Sequence, residues 1–177
     1  MGGKDLSNSP QDLTIRGNLF SGNGASRLPL YPGRPALAID LLIEDLTVLP
    51  RTFGPTENNP LDVDDVDGGP NGAQNYPELT SATLGSGTTN VLGTFNSSVN
   101  KSFVIEFFSS PSCHPSGFGE GKTLLGHLDV TTDAEGNAPI DVNLPGAAGG
   151  ETITATATRV NENGGATSEF SRCVSVS

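Results

Sequence analysis

Tryptophan is absent, tyrosine occurs twice and methionine once, which argues against a stacking platform for sugars. Nine Lys and Arg face 20 Asp and Glu, for a formal charge of −11. A chain this acidic has no basic face for nucleic-acid phosphates, and anionic lipid is disfavoured for the same reason. No apolar run approaches the roughly 18 residues a membrane-spanning helix needs, so no membrane span is expected. The opening Met1-Gly2-Gly3-Lys4-Asp5 lacks the apolar core of a secretory leader, so export would make this chain a fragment or processed form. Only two cysteines occur, Cys113 and Cys173, and neither belongs to a Cys-x-x-Cys pair, which disfavours zinc and thioredoxin-type chemistry. They are either one disulfide or two unrelated buried thiols. A bridge closing that loop would stabilise the fold by roughly 4 kcal/mol on the chain-entropy model.

What is abundant points to β-structure. Gly (23) and Pro (13) punctuate a chain of 177 residues, as many short strands and turns require. From Tyr76 onward alternation is regular, and strands are expected at Glu78–Leu84, Thr89–Phe95, Ser102–Ser109, Thr123–Thr132, Ala138–Leu144, Thr152–Val160 and Glu169–Val176. Ile153, Ala155 and Ala157 alternate with Thr152, Thr154, Thr156 and Thr158; such small inward residues call for bulky side chains opposite, and Phe103-Ile105-Phe107 is the expected strand across the sheets. Asp133–Asn137 reads as a hairpin loop in which Gly136 takes a positive φ. Short strands with turns every eight to twelve residues or so predict an all-β, immunoglobulin-like antiparallel β-sandwich.

The organisation expected is a β segment at residues 1–61, an acidic Gly/Pro/Asn junction at 62–76 and the sandwich at 77–177. In the first segment, Leu13 and Ile15 share one face, prolines recur at 29, 32 and 35, and Ala36–Leu49 is the most apolar run, for which strand is preferred over helix.

The junction carries the densest chemistry. Asp62, Asp64, Asp65 and Asp67 repel one another unless a cation or donor offsets them, and the following glycines can bend backbone around an ion. The EF-hand pattern fails, because Asp67 stands where glycine is required. An irregular Ca2+ site formed by Asp62, Asp64, Asp65, Asp67 and Asn71 is the candidate, against a plain solvated linker. His114 beside Cys113 makes a poor metal site and a poor nucleophilic dyad, since consecutive side chains diverge. His127 is expected on a solvated face. Glu106, between apolar neighbours, is read as the outward position of a strand and not as a buried general acid. Gly117-x-Gly119-x-Gly121-Lys122-Thr123 lacks the spacing of a phosphate loop and reads as a hairpin loop.

One resemblance covers residues 62–177. Asp67-Gly68-Gly69-Pro70-Asn71-Gly72-Ala73-Gln74-Asn75-Tyr76-Pro77 resembles the junction between the last turn of a right-handed parallel β-helix and an Ig-like module in bacterial surface proteins of the CSLREC type. Phe103–Phe108, Cys113, Gly117–Gly121, Thr154–Thr158 and Thr167–Cys173 follow in matching order, and Ile15–Gly24 with Ala38–Leu41 look like a final β-helix turn. The resemblance implies secretion, a bacterial extracellular or cell-surface location, a Cys113–Cys173 bridge, and no catalytic residues. A lone β-helix turn cannot bury its own face, so Ala36–Leu49 needs cover from its own sandwich, from upstream repeats or from another copy. The expected function is a non-enzymatic structural or adhesive module, with self-association or another surface protein or polysaccharide as partner, including fibres built by β-strand addition. The alternatives are an accessory module of a polysaccharide-active β-helix enzyme and a calcium-dependent binding domain.

Overall fold

The computed structural model describes residues 12–22, 37–41, 55–59, 69–161 and 165–177. Seven strands follow in order: β1 Glu78–Leu84, β2 Thr88–Asn96, β3 Ser102–Ser110, β4 Thr123–Thr131, β5 Asn137–Pro145, β6 Thr152–Arg159 and β7 Val174–Ser175. They form two antiparallel sheets, β1-β2-β5 and β4-β3-β6-β7. Inward residues of both sheets share one core: Ala82, Val91, Phe95, Ala138, Ile140 and Leu144 from the first, Phe103, Ile105, Phe107, Ile153, Ala155 and Ala157 from the second. Phe95 and Phe103 meet edge to face between the sheets at 4.8 Å. The chain is therefore all-β and sandwich-like, and no helix among the described residues is long and apolar enough to cross a membrane.

Three details differ from expectation. The bulky strand lies beside the alanines, not opposite them: Ile105 is the register partner of Ala157 and Phe107 of Ala155 within one sheet. Large and small residues thus alternate across adjacent strands, which levels the inner face for the three-stranded sheet above it. Residues 132–136 do not close a hairpin, since β4 and β5 belong to different sheets. Gly136 does take φ +80°, and a side chain there would collide with the Ser97 carbonyl. Finally, only Val174–Ser175 of the expected last strand is regular. Upstream, Ser168 and Ser171 donate their amides to Ala157 and Ala155, while their hydroxyls accept the amides of those same alanines. Serine side chains stand in for ladder carbonyls, so 166–171 follows β6 without being a regular strand. The C-terminus then crosses to the other sheet, where Ser177 exchanges hydrogen bonds with Ala82 and Leu84.

Eight of the nine residues of β3 and seven of the eight of β6 are buried, a pattern impossible for a sheet with one wet face. The outer face is covered by N-terminal residues. Ile39, Leu41, Phe108 and Phe170 form a second apolar cluster, joined by Ile15, Phe20 and Ala38. For Ile39 and Leu41 the cover is thus the chain's own sandwich. The described residues 12–22 and 37–41 contain no strand. The remainder of Ala36–Leu49 lies outside the described residues.

Candidate functional site

The junction Pro70–Ala73 is a single tight turn in which Asn71, Gly72 and Ala73 all have positive φ, at 50°, 62° and 49°. For L-residues such a conformation costs on the order of 1 kcal/mol each, so something must compensate. Asn71 supplies it. Its Oδ1 accepts the Leu13 amide at 2.8 Å, and its Nδ2 donates to the carbonyls of Leu13 (2.9 Å) and Thr167 (3.0 Å). The side chain thereby ties the N-terminal segment to the last β-region from a nearly fully buried position.

The residues that follow each tie down a different element. Gln74 donates to Ser97 Oγ at 2.8 Å and Asn75 to the Asn96 carbonyl at 3.1 Å. Tyr76 and Asn58 exchange hydrogen bonds, amide to Oδ1 and Nδ2 to carbonyl, as neighbouring strands would. The Tyr76 hydroxyl donates to Glu57 at 2.9 Å, and burial together with that carboxylate holds the phenol protonated far above its usual range. Arg172 pairs with Glu57 and lies over the Phe118 ring at 4.5 Å.

Three glutamates of the sandwich grip amides of the N-terminal layer. Glu106 accepts Gly17 N–H with both oxygens, at 3.2 and 3.1 Å, with Arg16 Nε at 3.9 Å. Glu120 accepts Gly22 N–H at 2.7 Å. Glu169 accepts Leu41 N–H at 2.6 Å and Thr56 N–H at 2.7 Å, one per oxygen. These side-chain acceptors anchor chain that has little backbone pairing of its own. Burial is the largest influence on Glu169; it outweighs the two amides, and with Asp40 nearby it pushes the carboxyl up to about 7.

Glu106 points outward, as its sequence position implies, yet it is buried because Arg16 and Gly17 roof it. His127 is exposed. His114 is buried in a local turn, with Nδ1 2.9 Å from Ser116 Oγ. Cys113 and Cys173 form a disulfide that closes a separation of 60 residues and pins the β3–β4 loop to the C-terminal segment; no free thiol remains for a Cys113–His114 pair. Of the five candidate calcium ligands, Asp62, Asp64, Asp65 and Asp67 lie outside the described residues, and the Asn71 amide is engaged with Leu13 and Thr167. Among the described residues no group of three or more His, Cys, Asp or Glu could hold a metal. Sequence reading missed Glu169; its one signal was a lone carboxylate between Ser168 and Phe170 in a β-like run. No protein-family model matches the chain, and no curated protein matches it.

Proposed function

We propose that this chain is a non-enzymatic extracellular module, structural or adhesive, with an immunoglobulin-like order of strands. The observation that carries the reading is the use made of its polar groups. Buried Asn71, Glu106 and Glu169 are spent on holding the N-terminal layer to the sandwich. Polar groups committed to internal anchoring suit a scaffold. The three-on-four strand order supports the immunoglobulin-like arrangement. The disulfide is compatible with an oxidising, extracellular setting, and the likeness of residues 62–177 to bacterial surface proteins supports that location. Antibody raised against residues 77–177 should label intact producing cells, with Cys113 and Cys173 oxidised. Label only after permeabilisation, with both thiols reduced, would overturn the reading.

A further inference from the structure

Residues 12–22 lie across the outer face of the four-stranded sheet as a bound peptide lies in a receptor groove. Among the described residues, backbone–backbone bonding between segment and sandwich is limited to Thr167 N–H on the Leu13 carbonyl and Phe20 N–H on the Gly121 carbonyl, and other bonds run from the segment's backbone to sandwich side chains. The Ile15 amide donates to Thr167 Oγ1 at 2.9 Å, Gly17 to Glu106, and Gly22 to Glu120. Phe20 packs edge to face on Phe170, and its amide donates to the Gly121 carbonyl at 2.7 Å. On the groove side Glu106, Asn71 and Thr167 are 5%, 4% and 0% exposed. If the segment were lifted away, Glu106 would lose the Gly17 amide, Asn71 its bonds to Leu13 and Thr167 Oγ1 the Ile15 amide, while Asn71 would keep the Thr167 carbonyl and Thr167 the Thr158 hydroxyl. The face therefore fits an extended occupant with amides at the spacing of Leu13, Ile15 and Gly17 and apolar side chains at the positions of Ile15 and Phe20.

A second copy of this chain carries that occupant by identity. We propose that copies join by exchanging residues 12–22, the segment of one chain docking on the four-stranded sheet of the next in place of that chain's own. The inference rests on the structural-module reading and names its partner. Exchange keeps every contact, so the balance depends on the effective concentration of the tethered segment against that of the chains. Two observations favour a second copy. Leu13 and Leu19, 51% and 62% exposed, are among the most exposed large apolar side chains of the described residues and leave apolar surface on the segment for a neighbouring molecule to cover. Fourteen residues also separate Gly22 from Leu37, a contour of up to roughly 50 Å, enough to reach a neighbour.

The test is complementation between two full-length variants. Ile15→Asp/Phe20→Asp damages the segment and leaves the groove; Glu106→Ala damages the groove and leaves the segment. Each alone should be monomeric by size exclusion with light scattering, and the mixture should give a one-to-one complex. A labelled peptide of residues 11–24 should bind the segment-damaged chain, and its Gly17→Pro form, which lacks the amide given to Glu106, should bind about tenfold more weakly. If the segment-damaged chain does not fold, the wild-type chain with a protease site between Gly24 and Ala36, cut after folding, replaces it in the peptide titration. A mixture that stays monomeric at every concentration overturns the exchange even if peptide binds, as does equal binding of both peptides. A monomeric chain on the cell surface would sink the exchange alone; an exchanging chain confined to the cytosol would sink the extracellular reading alone.

Discussion

Glu169 shows how far a single side chain can be removed from its sequence context. Its two amide partners lie 128 and 113 positions away, so nothing near residue 169 announces the site. A carboxyl with a higher pKa folded than unfolded binds its proton more tightly in the native state. The native state gains that advantage fully below pH 4.5, the ordinary value, and loses it as pH rises through about 7. The span corresponds to a contribution on the order of 3 kcal/mol. Wild type should therefore lose melting temperature between about pH 5 and 8 relative to Glu169→Gln, whose curve lacks this component; parallel curves for the two proteins would refute the assignment. Glu106 was half legible: period-two alternation gives its outward direction, but its roof comes from Arg16 and Gly17, some ninety positions upstream.

Among the elements, β1 to β6 could be read almost to the residue, because side-chain alternation and β-branched or aromatic runs bounded by turn residues are local properties of a strand. Which strands neighbour one another is not local, and the placing of Phe103, Ile105 and Phe107 opposite the alanines failed for that reason. The observed register gives an expected outcome. Ala155 is fully buried beside Phe107, so Ala155→Val should overpack the layer and cost about 1–3 kcal/mol in urea unfolding. Adding Phe107→Leu, which frees volume next to it, should recover part of that cost, a coupling of at least about 0.5 kcal/mol. Strict additivity of the two changes would mean that they do not share space. The last strand, expected at Glu169–Val176, is regular only at Val174–Ser175, because upstream Ser168 and Ser171 accept the alanine amides through their hydroxyls in place of ladder carbonyls.

At the scale of the molecule, the disulfide and the N-terminal layer both engage the β3–β4 loop and the C-terminal segment. Cys173 lies four residues beyond Glu169 and is bonded to the β3–β4 loop. Replacing both cysteines by serine opens a loop of 60 residues and should cost roughly 4 kcal/mol by chemical denaturation. The same change should speed hydrogen exchange at the Leu41 and Thr56 amides, which depend on the position of Glu169. If those amides keep their protection while overall stability falls, the bridge and the Glu169 anchor act independently.

By itself the sequence determined strands β1 to β6, the positive φ of Gly136 and the net charge, since these depend on neighbouring residues or on totals. Only the tertiary structure decided that β3 and β6 are covered on both faces, that Asn71 is a clamp, and that Glu106 and Glu169 are buried anchors. Each of those depends on chain segments brought together from dozens to more than a hundred positions apart, and hydrogen bonds between such segments leave no local pattern of side chains to read.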